Sequence, residues 1–166
     1  MTKISKLTDE QTAALAAHRK RYFDLATCTD PADRPKAEAA VRELAEIAGV
    51  KINRVVWVNS PEDGARTYEA ERASLRASLG ASLRASLRDS RGDTVWLSCY
   101  TYPRDCLGVV YAQEASRKLD LWITTLESCF AVWIVPGAAI LCERPATVEI
   151  VDGRLVGLTW RKEEVK

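Results

Sequence analysis

Apolar positions in the first fifty residues recur at helical spacing and predict two helices. Thr8 followed by Asp-Glu-Gln forms a capping box with acids in the first turn, so the first helix is expected to begin at Asp9. Asp30-Pro31 predicts the cap of the second helix, whose apolar stripe ends at Gly49. We expect these helices to form an antiparallel hairpin over residues 1–50.

Runs of β-branched and aromatic residues predict two strands in the middle of the chain. The first is Ile52 to Val58, and Ser60-Pro61 ends this strand and caps a third helix. The second is Thr94 to Thr101, followed by a loop at residues 102–105. Arg-Gly-Asp at residues 91–93 predicts a turn between the third helix and the second strand.

The last third of the chain predicts one amphipathic helix and then two hairpins. The helix is expected from roughly Ala115 to Ser128. Asp152-Gly153 is the stronger hairpin signal because it suits the positive φ angles of a type I′ turn, whereas the proline of Pro136-Gly137 forces a negative φ. The predicted strands are Ala131 to Val135, Ala139 to Cys142, Val148 to Val151 and Leu155 to Trp160.

A four-residue unit, Ala-Ser-Leu-Arg, recurs between Ala73 and Ser90, with Gly80 replacing arginine once. Ala, Leu and Arg are good helix formers, and a four-residue step exceeds one turn by about 40°, so the leucines spread over a core-facing sector of about 120°. A short-period solenoid is the alternative. On the helical interpretation, Leu75 to Leu87 are buried or form an oligomer seam. Three repeat arginines then form an exposed contact surface: Arg76, Arg84 and Arg88.

Together these elements predict an α+β fold in a single domain spanning residues 1–166. Its parts are a helical hairpin at 1–50, a strand and the long repeat helix at 51–92, and a mainly antiparallel sheet with one covering helix at 93–166. With 166 residues, 47% of them hydrophobic, the chain is long enough to bury a core.

The charge balance argues against nucleic acid as the favoured partner. Lys and Arg number 24 and Asp and Glu 23, for a net charge of +1, so the repeat arginines fit a solvated helix face better than a phosphate contact. The N-terminus has no apolar run, and no apolar stretch reaches the roughly 20 residues that span a bilayer. We therefore expect a cytoplasmic protein with no membrane partner.

Five cysteines without a Cys-x-x-Cys pair, and a single histidine, predict no disulfide framework, no metal site and no cofactor. Buried inert thiols are favoured over a thiolate activated by arginine at Cys106 or Cys142. His18 lies on or beside the apolar stripe of the first helix, which favours a hydrogen-bonded boundary histidine over a catalytic imidazole. Phosphate-loop and hydrolase motifs are also missing, so no catalytic residue is assigned.

Five tryptophans are many for this length, and two interpretations are open. They pack the core between a sheet and its helices, or some line an aromatic pocket with an arginine nearby. The second interpretation places Trp96 and Trp133 with Arg104 and Arg144 in a binding site.

Several strings resemble an uncharacterised bacterial protein family. They are LTDEQ, TDPADRPKAEAAVRELAEIAG, NSP, the short leucine-containing repeats, WIVPGAAILCERP and DGRL. Members of that family carry Ser/Leu-containing repeats between a helical N-terminus and a segment with Trp-Ile-x-Pro and Cys-x-Arg-Pro. The repeat block here is short, as in a phage or mobile-element member. The family has no established activity, so the resemblance implies an architecture and leaves the function open.

Two functional hypotheses follow. The favoured one is a non-enzymatic binding or regulatory protein that contacts a protein partner, or a second copy of itself, through the repeat helix. The alternative is a small-molecule or nucleotide binder, enzymatic or not, that uses an arginine and aromatic pocket. Nucleic-acid binding by the basic repeat face is a lesser alternative.

Overall fold

A computed structural model describes residues 6–78, 90–92 and 94–161, with side chains described for residues 6–75 and 101–161. The helices are α1 (Asp9–Ala26), α2 (Arg34–Ile47), α3 (Pro61–Ser78), α4 (Thr94–Leu107) and α5 (Gln113–Leu126). The strands are β1 (Ile52–Val58), β2 (Ser90–Gly92), β3 (Ala131–Val135), β4 (Gly137–Cys142), β5 (Thr147–Val151) and β6 (Arg154–Thr159). Helices dominate the N-terminal part and strands the C-terminal part, so the fold class is α+β, as predicted.

Four strands form the central sheet, in the order β1-β4-β3-β2. β1 runs parallel to β4, whereas β3 is antiparallel to both β4 and β2. Val58 is paired with Cys142, so the carboxyl ends of β1 and β4 meet at the same edge of the sheet. Among the described residues, β5 and β6 pair only with each other and form a separate two-stranded ribbon.

The two central strands are buried on both faces, and their side chains alternate between two apolar layers. One face packs against α2 and α5 and includes Val132, Ala139 and Leu141. The other face packs against α3 and includes Ala131, Trp133, Val135, Ala138, Ile140 and Cys142. The sheet therefore lies between α3 on one side and a layer that contains α2 and α5 on the other.

The structure places Trp133 in this core, at 3% exposure, and not in a pocket. Its ring lies against Gly64 of α3, where an added Cβ would come within 2.5 Å of Trp133 Cη2. A side chain at Gly64 would force the helix away from the sheet. Glycine at this position is therefore explained by the close approach of α3 to β3.

The predicted strand at Thr94 to Thr101 and the loop at residues 102–105 are wrong, because both lie within α4, which also contains Pro103. Aromatic and β-branched residues form a strand pattern, but here they belong to a helix that packs against α1. Tertiary packing outweighs local propensity in this segment. Arg91 and Gly92 of the predicted turn belong instead to a short edge strand, Ser90–Gly92, and Asp93 lies outside the described residues.

α1 and α2 contribute to one apolar cluster, and each packs most extensively against other elements. α1 contacts α4, and α2 contacts α5 and β1. α2 also begins later than predicted, because its cap is Asp33, whose carboxylate accepts a hydrogen bond from Lys36 N at 3.2 Å. The capping box of α1 is confirmed, with Gln11 N donating to Thr8 Oγ1 at 3.1 Å.

Two other local predictions are confirmed. Asp152 and Gly153 have φ angles of 50° and 72°, as a type I′ turn requires, and they join β5 to β6. α3 continues through Gly64 into the repeat as far as Ser78. Arg84 and Arg88 lie outside the described residues, as does most of the repeat.

Candidate functional site

A surface crevice lies at the edge where β1 and β4 end. Asn59 follows β1 and Glu143 follows β4, and Glu143 N donates to Val58 O at 2.9 Å. A crevice outside the carboxyl ends of parallel strands is a common place for a ligand in proteins that contain parallel strands. We call this crevice the Asn59 cleft.

Two adjoining compartments make up the Asn59 cleft, and Asn59 and Arg161 line both of them. The larger has a volume of about 820 Å³, and its other lining residues include Trp57, Trp160, Glu62, Asp63, Arg66 and Thr67. The smaller has a volume of about 210 Å³, and its other lining residues include Pro31, Ala32, Arg34, Glu143 and Arg144.

The first turn of α3 forms one wall of the larger compartment. Asp63 N donates to Ser60 Oγ at 3.1 Å, and Ser60 Oγ donates to Asp63 Oδ2 at 2.7 Å, so the predicted Ser60 cap is confirmed. Arg66 forms an ion pair with Asp63 at 2.6 Å. These bonds fix the start of α3, because the cap satisfies a backbone donor that the helix itself cannot.

Trp57 forms another wall of the larger compartment and contacts Arg34, which lines the smaller one. Its indole Nε1 donates to Glu38 Oε1 of α2 at 2.8 Å, and the guanidinium carbon of Arg34 lies 5.0 Å from the ring centroid. Arg34 Nε also donates to Glu143 Oε1 at 2.6 Å. The cation–π contact and the ion pair together hold Arg34 at the mouth of the smaller compartment.

The opposite wall is the end of β6. Trp160 is half-buried and meets Phe130 edge to face, with ring centroids 4.8 Å apart and planes at 78°. The next residue, Arg161, is exposed. Neither the Arg161 guanidinium nor the Asn59 side-chain amide forms a hydrogen bond or ion pair with any other residue in the part of the chain that the structure describes.

Arg144, one of the predicted binding residues, lines the smaller compartment. Its Nη1 donates to Cys28 Sγ at 2.6 Å, and its Nη2 donates to the backbone oxygen of Glu127. Arg144 therefore joins the segment after β4 to the segments that follow α1 and α5. The smaller compartment thus has a positive wall that is held in place.

The remaining predicted site residues lie away from the cleft or outside the described side chains. Arg104 is on α4, with ion pairs to Asp105 at 2.9 Å and Asp120 at 2.6 Å. Trp96 lies on α4 and Arg76 on α3, where side chains are not described. Of the predicted site residues whose side chains the structure describes, Arg144 lines the cleft, whereas Arg104 and Trp133 do not.

Several cleft residues were not singled out from the sequence: Arg34, Asn59, Trp57, Trp160 and Arg161. One available signal was Asn59-Ser60-Pro61, a polar junction between a predicted strand and a predicted helix. The contribution of Arg34 and Arg161 had no such signal, because only the fold brings α2 and the end of β6 beside this junction.

The buried cysteines do not provide an activated thiolate. Burial raises the pKa of Cys142 to about 12, with the negative charges of Glu143 and Asp63 acting in the same direction. Burial also raises the pKa of Cys106, and Asp105 adds to the effect. The arginine beside Cys142 in sequence contacts Cys28 instead, so activation by arginine at Cys106 or Cys142 is not supported.

His18 is buried and has a hydrogen-bond partner. This confirms the prediction of a hydrogen-bonded boundary histidine. Its Nε2 lies 3.0 Å from Thr101 Oγ1, and Thr101 Oγ1 donates to Tyr22 OH at 2.8 Å. Burial lowers the pKa of His18, which favours the neutral form of the imidazole. This polar group joins α1 to α4 and lies apart from the Asn59 cleft.

Within the described residues, no three His, Cys, Asp or Glu side chains are arranged to hold a metal ion. None of the described helices combines the length and the apolar character needed to cross a bilayer. The chain matches no family model, no curated protein and no solved structure.

Proposed function

We propose that this protein binds a small organic anion in the Asn59 cleft. The observation that supports the proposal is the pair of uncommitted polar groups, the Asn59 amide and the Arg161 guanidinium, which line both compartments. An amide offers two donors and an acceptor, and a guanidinium offers a fork of N–H groups that suits a carboxylate or phosphate. The proposal needs no catalytic step.

The charge of the smaller compartment favours an anion. Three guanidinium groups, those of Arg34, Arg144 and Arg161, line it together with one carboxylate, that of Glu143. The positive excess lies in a concave site, where a charge is screened less than on an open surface. An anionic ligand would thus be attracted to the end of the cleft where Arg161 and Asn59 are available.

Thermal unfolding in the presence of inorganic phosphate or citrate tests this proposal. A ligand that binds only the folded state raises Tm as its concentration increases. At a ligand concentration one hundred times Kd, the free energy of unfolding increases by about 2.7 kcal/mol. We expect at least one of the two anions to raise Tm in a saturable manner. Titration calorimetry then gives the affinity.

A double variant and a matched control locate the binding. Asn59→Ala with Arg161→Gln should remove the Tm increase, whereas Arg154→Gln, which removes an exposed arginine from the ribbon, should preserve it. If neither anion affects the wild type, or if Arg154→Gln weakens binding as much as the double variant, the cleft is not an anion site.

Contact with a second copy of the chain is a second candidate function, favoured by the β5–β6 ribbon. The pairs Val148–Leu158 and Ile150–Leu155 lie on one face of the ribbon, which is apolar throughout. Ile150 is 45% and Leu155 is 44% exposed. A two-stranded ribbon is marginally stable alone, and a second copy packed on this face would bury it.

Sedimentation velocity over a range of protein concentrations tests self-association. We expect a dimer that the double substitution of Ile150→Thr and Leu155→Thr converts to a monomer without loss of helical circular dichroism. A wild type that is monomeric at every concentration argues against this candidate. Self-association through the repeat stays a separate prediction, tested by replacing Leu79 and Leu83 with Ser.

A further inference from the structure

We infer that the ligand of the Asn59 cleft is a planar ring joined to a single phosphate group, a class that includes nucleoside monophosphates and aryl phosphates. This inference rests on the proposed function and adds the ligand class. The inference follows from the difference between the two compartments in size, charge and aromatic lining. It also uses Asn59 and Arg161, which line both compartments.

The smaller compartment fits one phosphate group. Its volume of about 210 Å³ equals that of about seven water molecules at roughly 30 Å³ each, which is room for a phosphate and a few waters. Its guanidinium groups exceed its carboxylates by two, and a phosphate monoester carries a charge of about −1.5 to −2 at neutral pH. A monocarboxylate would leave positive charge uncompensated, and a triphosphate would exceed the positive excess.

The arginines of this compartment retain donors for the phosphate. Arg34 uses Nε and Nη2 for Glu143, and Arg144 uses Nη1 and Nη2 for Cys28 and a backbone oxygen. A guanidinium has five N–H donors, so Nη1 of Arg34 and Nε of Arg144 are not used by these bonds. The guanidinium of Arg161 retains all five of its N–H donors.

The larger compartment fits an uncharged ring. Apart from Arg161, which both compartments share, its ionisable side chains are one guanidinium, that of Arg66, and two carboxylates, those of Glu62 and Asp63, so it has no positive excess of its own. Its volume of about 820 Å³ is within the range of sites for small organic ligands. A charged group therefore gains less here than in the smaller compartment, and an apolar planar group gains from the tryptophan walls.

Trp160 is the stacking surface for that ring. Its contact with Phe130 is edge to face, so Phe130 covers at most one face of the indole. Arg161, the next residue, lines the larger compartment together with Trp160 and also lines the smaller one. A ligand stacked on Trp160 would thus extend its phosphate toward Arg161 and Asn59.

Trp57 supports the same placement. Arg34 lies over the Trp57 ring, and Trp57 Nε1 donates to Glu38, so this indole is fixed in orientation in the wall of the larger compartment. A fixed aromatic wall loses little conformational entropy when a ligand binds. The ring of the ligand would enter between Trp57 and Trp160, with the phosphate at the Arg34 end.

Titration calorimetry with four probes tests the ligand class: adenosine monophosphate, phenyl phosphate, adenosine and inorganic phosphate. We expect at least one of the two ring phosphates to bind at least about tenfold more tightly than both inorganic phosphate and adenosine, because the ring and the phosphate each contribute. Adenosine monophosphate as the tighter ring phosphate indicates a nucleotide, and phenyl phosphate as the tighter one indicates an aryl phosphate. Both results support the class and separate its two sources.

Two variants separate the contributions. Trp160→Leu should lower the affinity for the better ring phosphate by about five- to tenfold and leave inorganic phosphate unchanged. Arg161→Gln should lower the affinity for both phosphates and leave adenosine unchanged. Because Trp160 also packs on the core, circular dichroism and Tm must show that Trp160→Leu folds, and Trp160→Phe, with a smaller loss expected, is the alternative variant.

The outcomes distinguish this inference from the proposed function. If inorganic phosphate binds in the cleft and the ring phosphates bind no more tightly, the ligand class is wrong and anion binding stands. If citrate alone binds, the ligand class is likewise wrong. If none of the anions binds, both proposals are overturned.

Discussion

His18 Nε2 and Thr101 Oγ1 lie 3.0 Å apart in the interior, although 83 positions separate them in the chain. Thr101 is fully buried, and its Oγ1 also donates to Tyr22 OH at 2.8 Å. Three polar side chains from α1 and α4 satisfy one another in this way. The interface of these two helices is therefore specified by polar as well as apolar contacts.

Replacing Thr101 with Val should destabilise the protein by about 1–3 kcal/mol, because the shape is nearly kept while His18 and Tyr22 each lose a buried partner. Urea denaturation followed by circular dichroism measures the free energy of unfolding. Tyr22→Phe removes one of the two bonds and should cost less. A suitable control is Thr124→Val on α5, whose hydroxyl has no hydrogen bond to a described residue. Equal losses in Thr101→Val and Thr124→Val would contradict the assigned role.

Stability should fall as the pH is lowered from about 7.5 to about 5.5. Burial lowers the pKa of His18 below its ordinary 6.5, with Arg21 acting in the same direction and Asp105 opposing. The folded state then binds fewer protons than the unfolded state, so the stabilisation is fully present above the unfolded pKa and is lost as the pH falls through the folded pKa.

The chain has one histidine, which makes this titration easy to assign. His18→Gln should flatten the dependence of the free energy of unfolding on pH within that range, because glutamine does not titrate. Urea denaturation at a series of pH values is the measurement. A wild type whose stability is unchanged or increases on acidification in this range would show that burial does not lower the pKa of His18.

Cys28 should be alkylated by iodoacetamide at least about tenfold faster than Cys106, Cys129 and Cys142 in the native protein near pH 8. Cys28 is partly exposed, whereas the other three are buried and burial raises the pKa of each thiol. Peptide mapping by mass spectrometry gives the rate at each position. In denaturant, all four rates should converge. Native labelling of Cys142 as fast as that of Cys28 would contradict this picture of inert core thiols.

The sequence predicted correctly those elements that depend on interactions between residues close together in the chain. The capping box at Thr8, the Ser60 cap and the Asp152-Gly153 turn all form as predicted, because each depends on bonds or φ angles within a few residues. The segment from Thr94 to Thr101 was predicted as a strand and is helical. Its aromatic pattern suits either structure, and contact with α1 selects the helix.

The candidate site was predicted in part. Arg144 was expected beside an aromatic pocket, and it does line the cleft. Trp133 was expected there too and is buried against Gly64, because it is on the face of β3 that packs against α3. Alternation along a strand shows that neighbouring side chains lie in opposite layers. It does not show which of the two layers faces a cleft.

The sequence by itself determined the α+β class, the starts of α1 and α3, and the ribbon turn, since these follow from periodicity, caps and turn chemistry. The tertiary structure decided which helices pair and where an open site lies. Parallel pairing of β1 with β4 brings Asn59 and Glu143 to one edge of the sheet, and the positions of α2 and of the end of β6 add Arg34 and Arg161 there. Short-range rules cannot specify such a meeting, because it depends on the packing of the whole sheet.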